Sequence, residues 1–371
     1  MPNQRPHRRS PIARLLFCDS LTFWGGGEHW IVQVGSALSE RRWEITVAGR
    51  HDAELLKRAQ SAGLETVAWS YKRDFDLGTM RAASRWIAGN KPDAVLVTTG
   101  RDIRTAGLAA KHHRIPVVWR MGPKPKKNIV HRLTGSLIDH VLAPSETVRQ
   151  ELQPFSWLKN KVNVIPNGIA ITPAPTPDQI RAARNSLGVP DSALLCLYVG
   201  RLMAGKGIDT LIEAFAEIHK QYPPAILSVI GAGPGEAVAR ERSAALRLNG
   251  VVSFHGYMSD PSYYFDACDL LMLPSRYESF SYVLLEAMLR AKPCITTRAG
   301  AIPEVVGEDA AVLIPPGDPA ALAQATMTLA GDPDRRSRLG KTGRQRVIDH
   351  FDLAKTVDAV ESLFRTMIKA G

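Results

Sequence analysis

Short apolar runs of strand length alternate with amphipathic stretches of helical length along this chain. Runs such as residues 94–98 and 194–199 are apolar at successive positions, which is typical of strands buried on both faces. The stretches between such runs carry apolar residues at helical spacing, as in residues 79–88. The alternation therefore predicts an α/β fold class with doubly wound, Rossmann-like parallel sheets covered by helices.

The pattern places strands and helices in two successive sets. In the first set, strands are predicted at residues 12–18, 45–48, 66–69, 94–98, 117–120, 140–143 and 162–165, and helices at 29–40, 53–62, 79–88, 104–112 and 146–152. In the second set, strands are predicted at 194–199, 225–230, 251–254, 270–273, 294–297 and 311–314. Its helices are predicted at 207–222, 236–248, 261–267 and 283–289, from 319 and 333 onward, and at 353–368.

The break between the two sets is rich in proline. Three prolines in the five residues 173–177 can continue neither a helix nor a central strand. A chain of 371 residues also exceeds what one core usually supports. We therefore predict a first domain at 1–170, a linker at 171–190 and a second domain at 191–351. Two such domains would enclose a deep cleft beyond the carboxyl ends of their strands.

Composition narrows the class of protein. No run reaches the ~18 apolar residues of a membrane-spanning helix, and the basic start lacks the apolar core of a signal peptide. We expect a cytoplasmic location. The four cysteines are widely spaced, which predicts buried free thiols and no metal site.

The positive charge is confined to the first half. Residues 1–170 contain 26 Lys and Arg against 14 Asp and Glu, whereas the remainder is nearly balanced. Either this half has a solvated basic surface or it meets an anionic partner, such as a membrane leaflet or a phosphorylated acceptor. No nucleic-acid motif or interleaved aromatic platform accompanies the charge, so we expect no nucleic-acid partner.

Two carboxylates mark the strongest candidate site. Glu278 and Glu286 lie eight positions apart, between a predicted strand and a helix that is apolar except at Glu286. An ionised carboxylate buried on such a helix would cost several kcal/mol, roughly, without a hydrogen-bond partner. Glu286 is therefore expected to bind something polar.

Cations and glycines occupy three other turns that follow strands. Arg201 and Lys206 flank a glycine-containing turn, where the two cations would neutralise a diphosphate. The glycines at 25–27 precede a helix predicted to begin near Glu28, so their amides would favour an anion, although a tight turn without a ligand uses the same residues. Gly231 lies in a further turn of this kind, and His255 and Tyr257 would meet a base or pack on their own domain.

Motifs spread over the chain resemble the group 1 family of retaining glycosyltransferases. In the family's order they are Gly25-Gly-Gly-Glu28, Pro166-Asn-Gly168, Val199-Gly-Arg201 with Lys206-Gly207, Val252-Ser-Phe-His-Gly256, Pro274-Ser275 with Glu278 and Glu286, and Ala301-Ile-Pro-Glu-Val305. The resemblance is strong over residues 195–310 and looser before 165. It implies the two-domain GT-B fold, whose last helix, here in 352–371, crosses back to the first domain.

The resemblance also implies roles. The donor would be a nucleoside diphosphate sugar of UDP or GDP type, with no cofactor or metal, and the acceptor a glycan or lipid-linked glycan at the inner face of the cell membrane. The catalytic set would be Glu278, Arg201 and Lys206. The donor-binding set would be Glu286 at the ribose, Phe280, Ser281, Gly26, Gly27, Gly231, His255 and Tyr257.

Two features depart from the family pattern. Ser281 replaces a common glycine, which would narrow the space near the donor sugar, and the usual first-domain histidine is not evident. Acceptor-side candidates are instead Arg101, Arg120, Lys124, Lys126 and Lys127. Two alternatives to a transferase stay open, a sugar-nucleotide epimerase of the same fold and a non-catalytic sugar-nucleotide-binding protein, with a nicotinamide oxidoreductase a distant third.

Overall fold

A computed structural model describes residues 12–121 and 129–370. They form two compact units, each built on one parallel sheet. Unit 1 takes its described residues from 12–144, 149–166 and 354–370, and unit 2 consists of 145–148 and 167–353. Two doubly wound α/β units are the fold class predicted from the alternation, which is confirmed.

Unit 1 contains a seven-stranded sheet. Its strands are β1 Arg14–Asp19, β2 Glu44–Arg50, β3 Glu65–Trp69, β4 Ala94–Val97, β5 Val117–Arg120, β6 His140–Ala143 and β7 Val162–Val164. The helices between them are α1 Gly26–Glu40, α2 Glu54–Ser61, α3 Leu77–Asn90, α4 Gly100–Asp102, α5 Leu108–His112, α6 Ile129–Ser136 and α7 Glu146–Leu152, with a π-helical turn at Ile103–Gly107 between α4 and α5.

The strand order of unit 1 is β3-β2-β1-β4-β5-β6-β7. The order reverses between β1 and β4, which pair in parallel with Leu16 opposite Val95. At such a switch point the loops that leave the two strands diverge to opposite faces of the sheet and open a place for a ligand. The carboxyl ends of β1 and β4 are therefore the first place to look for a site in unit 1.

Unit 2 contains a six-stranded sheet in the order β10-β9-β8-β11-β12-β13. Its strands are β8 Leu194–Val199, β9 Ala225–Ile230, β10 Val252–Phe254, β11 Leu270–Leu273, β12 Cys294–Thr297 and β13 Val312–Ile314. Its helices are α8 Pro177–Ser186, α9 Ile208–Gln221, α10 Glu236–Ala245, α11 Ser262–Ala267, α12 Tyr282–Leu289, α13 Ile302–Val306, α14 Pro319–Ala330 and α15 Pro333–His350. The switch point here lies between β8 and β11.

The last helix, α16 Leu353–Ala370, packs on unit 1 over most of its length. Phe364 is fully buried, with its ring centroid 6.3 Å from those of Phe17 and Trp43. Arg41 forms ion pairs with Asp358 and Glu361 on the same helix. Apolar packing and these pairs hold the chain's end to the first sheet.

Four helices were not predicted: α4, α6, α8 and α13. Helix α8 lies inside the predicted linker, because Pro177 occupies the first helical position, where its missing amide hydrogen costs nothing, and Thr176 and Gln179 form a capping box. Helix α1 begins at Gly26, slightly earlier than predicted.

All four cysteines are buried and free, as expected. In the part of the chain that the structure describes, every helix is too short or too polar to cross a membrane.

Candidate functional site

The turn that carries Lys206 follows β8 in unit 2. A 3₁₀ turn spans Ala204–Lys206, and α9 starts two residues later. Gly207 joins them at φ +70°, and a Cβ there would overlap the carbonyl oxygen of Pro274. Only glycine combines this backbone conformation with so close an approach, so the turn is held against the loop that follows β11.

That loop carries Glu278, and the two side chains meet. Lys206 Nζ donates a hydrogen bond to Glu278 Oε2 at 2.7 Å. Ser275 Oγ donates to the other carboxylate oxygen at 2.9 Å. The Glu278 side chain is only 8% exposed and that of Lys206 30%. The contact arises because β8 and β11 are adjacent parallel strands, so that their carboxyl-end loops leave the sheet side by side.

The backbone at Glu278 is fixed as well. Ala301 N donates to its carbonyl oxygen at 2.8 Å. Gly300, at φ +55°, passes so close to that oxygen that a Cβ would overlap it. The carboxylate that contacts Lys206 is therefore held both through its side chain and through its main chain.

Glu286 lies one turn from the end of α12. Burial raises its pKa to about 7, with Asp260 adding to the rise and Arg290 opposing it. Among residues 12–121 and 129–370, no group donates a hydrogen bond to this carboxylate; Arg290 bonds the Glu286 carbonyl oxygen instead. The protein thus leaves a half-buried acceptor without a donor of its own, which is open to the external partner expected from the sequence.

Ser281 has a local role that the sequence analysis missed. Its side chain is buried and caps α12 by accepting a hydrogen bond from Leu284 N. The side chain is therefore directed at the helix N-terminus, and the expectation that it narrows the space near the donor sugar stays a prediction. Its neighbour Phe280 packs edge-on against Tyr282 and Phe351.

The other predicted donor-side residues of unit 2 lie near β9 and β10. Gly231 takes φ +134° where its backbone passes directly against Gly200. Both ring nitrogens of His255 have partners in the unit, Ser228 Oγ at 3.2 Å and Tyr264 OH at 3.1 Å. The phenol of Tyr257 is exposed. These bonds favour the packing role for His255 that the sequence left open.

In unit 1 the glycine turn meets Arg120. The N-cap of α1 is Gly25, and a Cβ on Gly27 would lie 3.6 Å from Arg120 Nη1. The guanidinium lies over the ring of Trp30, 4.7 Å from its centroid, and the residue is buried. Arg101 pairs with Asp74 at 3.5 Å. The candidates Lys124, Lys126 and Lys127 lie outside the described residues.

Three buried acidic residues cluster at the carboxyl ends of β1 and β4. The sequence analysis did not predict this cluster. Asp19 ends β1, Glu28 lies in the first turn of α1, and Asp102 closes a capping box with Thr99. Thr98 Oγ1 lies 2.7 Å from Asp19 Oδ2 and 3.2 Å from Asp102 Oδ2. One hydroxyl has one hydrogen, so it cannot donate to both carboxylates.

The electrostatics of this cluster agree with retained protons. Burial raises the pKa of Glu28 to about 7, with Asp19 adding to the rise and Arg120 opposing it. Burial also raises the pKa of Asp102 to about 7. Burial likewise raises the pKa of Asp19, with Arg120 opposing the rise. The sequence does show that Asp19 ends β1 and that Asp102 lies shortly after β4. That the two residues are neighbours depends on the strand order, which the sequence pattern does not give.

Comparison with known families covers most of both units. The sequence model described as "Glycosyltransferase Family 4" matches residues 24–172, and that described as "Glycosyl transferases group 1" matches residues 179–346. A GDP-mannose-dependent monoacylated alpha-(1-6)-phosphatidylinositol monomannoside mannosyltransferase of Corynebacterium glutamicum is 25% identical, over 80% of each chain. Lipopolysaccharide core biosynthesis glycosyltransferase LpsD of Rhizobium meliloti is 26% identical, over 92% of this chain and 95% of its own.

Solved structures show the same fold. Anabaena Alr3699/HepE, in complex with UDP and glucose, has a TM-score of 0.85 at 21% identity, covering 95% of this chain and 99% of that one. WaaG, a glycosyltransferase involved in lipopolysaccharide biosynthesis, has a TM-score of 0.74 at 18% identity, covering 94% and 99%. The GT-B fold expected from the sequence is confirmed.

Proposed function

Because the chain belongs to the group 1 glycosyltransferases of the family 4 type, we propose that it moves a sugar from a nucleoside diphosphate sugar to a hydroxyl of a cell-envelope glycan or glycolipid. We further propose that the anomeric configuration is retained and that no metal ion takes part. The observation that carries the proposal is the contact between Lys206 and Glu278.

This contact suits the bond that has to break. In a sugar nucleotide the reacting carbon lies between a ring bearing hydroxyls and a negatively charged diphosphate. The Lys206 ammonium and the Glu278 carboxylate lie 2.7 Å apart. They therefore offer a cation for the phosphate and an acceptor for the ring hydroxyls on the two sides of the bond that breaks. A donor that enters here would replace the internal ion pair with one interaction on each side.

Glu286 suits the other end of the same donor. Its carboxylate has no hydrogen-bond donor in the described protein, and burial raises its pKa to about 7. A ribose supplies two hydroxyls that can donate to the two carboxylate oxygens. Such bonds would offset the cost of keeping the carboxylate ionised in its apolar helix.

Arg201 and Lys206 would stabilise charge on the departing diphosphate. Charge that develops in the transition state is best met by groups already held in place, and the Lys206 turn is held by Gly207 and by the loop carrying Glu278. The acceptor hydroxyl would attack on the face that the phosphate leaves, with the phosphate taking its proton. The amides of Phe280 and Ser281 would assist.

The names of relatives guide the choice of substrates. One relative is GDP-mannose-dependent, and a structural neighbour holds UDP and glucose, so UDP and GDP are the nucleotides to test first. The relatives named for phosphatidylinositol mannoside and lipopolysaccharide core favour a lipid-linked glycan as acceptor. We propose that the reaction takes place at the inner face of the cell membrane.

A donor screen followed by transfer assays tests the proposal. UDP-, GDP-, ADP- and TDP-sugars are compared by thermal shift, and the stabilising donor is then incubated with lipid-linked glycan acceptors, with and without EDTA. We expect nucleoside diphosphate release only with acceptor, unchanged by EDTA, and a product of retained configuration by NMR. Release without acceptor, or an inverted product, would contradict the proposal.

Two substitutions link the activity to the site. Lys206→Ala and Glu278→Ala should each lower turnover by at least about 100-fold, as losses of transition-state charge stabilisation do. Lys220→Ala on α9 is the matched control, because its side chain is 78% exposed and pairs only loosely with Glu217. Normal rates in both site variants would exclude the site.

A further inference from the structure

Arg276 connects three segments around the Lys206 turn. It follows β11, two residues before Glu278, and its side chain is 38% exposed. Nη1 donates to the Ala204 carbonyl oxygen at 2.6 Å and to Asp209 Oδ1 at 2.9 Å. Nη2 donates to Asp209 Oδ2 at 2.7 Å. Its backbone amide donates to the Gly205 carbonyl oxygen at 3.0 Å.

These bonds hold a segment with little rigidity of its own. The 3₁₀ turn Ala204–Lys206 is three residues long, and glycines occupy positions 205 and 207. Glycine loses more conformational freedom on ordering than any other residue. Among the residues that the structure describes, two short-range backbone bonds close the turn, from Lys206 N to Met203 O and from Gly207 N to Ala204 O. External bonds are therefore needed to fix its position.

The simultaneous contacts to Asp209 and to the Ala204 carbonyl oxygen require an arginine at position 276. A guanidinium presents its donors in a planar fork, so it can bind both oxygens of Asp209 and still reach a carbonyl oxygen. Although burial raises the pKa of Asp209, the hydrogen bonds from Arg276 hold that pKa below its ordinary value. An ammonium at the same place would be a single point of contact.

We propose that Arg276 is a positioning residue for the transfer reaction. Paired with Asp209 at the start of α9, it holds the Ala204–Lys206 turn so that the Lys206 ammonium stays beside Glu278. Arg276 itself acts through Lys206 and needs no contact with the substrate. This inference rests on the proposed function of Lys206 at the donor diphosphate.

Steady-state kinetics of Arg276→Met and Arg276→Lys test the proposal. We expect kcat to fall about 10- to 100-fold in both, because small displacements of a reacting group have effects of that size. The donor KM should change less than about threefold, since Lys206 acts mainly on transition-state charge. Arg365→Met removes an ion pair of similar exposure on α16 and should leave kcat unchanged. A wild-type kcat in both Arg276 variants would overturn the proposal.

A double-mutant cycle separates positioning from general stability. If Arg276 acts through Lys206, Arg276→Met should cause no further loss of turnover in the Lys206→Ala background. If it merely supports the fold, the same fractional loss should appear in both backgrounds, and the proposal would be wrong.

Hydrogen exchange provides a readout that does not depend on activity. In Arg276→Met without substrate, the amides of Lys206 and Gly207 should exchange at least about 10-fold faster, because local opening of the turn becomes easier. Unchanged exchange would overturn the positioning role even if transfer is confirmed. Conversely, faster exchange in a protein that transfers no sugar would support the positioning role and leave the proposed function as the part that failed.

Discussion

Glu286 makes donor binding sensitive to pH in a way that can be calculated. Burial holds its pKa at about 7 in the free protein. The proposed ribose contact needs the ionised carboxylate, because that form accepts strong hydrogen bonds on both oxygens, whereas a protonated carboxyl group carries a donor on one of them. Binding should therefore release a proton below pH 7 and weaken as the pH falls.

The size of the effect depends on how far the pH lies below the pKa of Glu286. Affinity that requires the ionised form is constant above the free pKa and falls tenfold per unit below it, so binding at pH 5.5 should be about 30-fold weaker than at pH 8.5. Glu286→Gln should remove this dependence. It should also weaken binding at pH 8.5 by about 10- to 100-fold, the worth of hydrogen bonds to a charged group.

Isothermal titration with the intact sugar nucleotide measures both quantities. The intact donor is preferable to the free nucleoside diphosphate, whose terminal phosphate titrates near the same pH. Runs in two buffers of different ionisation enthalpy count the protons released, and Glu217→Gln, an exposed glutamate on α9, serves as control. A flat affinity from pH 5.5 to 8.5, or unchanged binding by Glu286→Gln, would refute the ribose role.

Three further predictions concern other parts of the chain. Gly300→Ala should displace Glu278 and lower both turnover and melting temperature, because the new Cβ overlaps the Glu278 carbonyl oxygen; Gly250→Ala has a similar positive φ but open space, so an equal loss of turnover there would contradict this. Asp102 has a folded pKa of about 7, above its ordinary 3.8, so its contribution to stability is complete below pH 4 and lost as the pH rises through 7. Thermal melts of wild type from pH 5.5 to 8.5 should therefore show a decline to which Asp102 contributes about 2 kcal/mol, and Asp102→Asn should remove that part; equal declines in both proteins would exclude the protonated cluster. Replacing Lys124, Lys126 and Lys127 with Ser should weaken binding to anionic liposomes in a salt-sensitive way, and binding equal to that of wild type would remove the loop from consideration.

Local pattern was enough for most of the secondary structure. Strands such as β8 and β11 were predicted with their observed bounds, because an apolar run that ends at a turn is a local signal. Short helices with weak periodicity were missed, and α8 was hidden because proline both ends a segment and begins a helix. The burial problem at Glu286 was also visible in the sequence, since it depends only on the apolar residues around it.

What the sequence alone determined, then, is the alternation of strands and helices and the chemistry available at each strand end. Which strand ends lie together was decided only in the tertiary structure, by pairing between residues far apart in the chain. Because β8 pairs with β11, Lys206 meets Glu278 across 72 positions, and Arg276 reaches the turn between them. Because β1 pairs with β4, Asp19 and Asp102 share one hydroxyl. Strand order depends on how whole faces pack, and no local pattern encodes it.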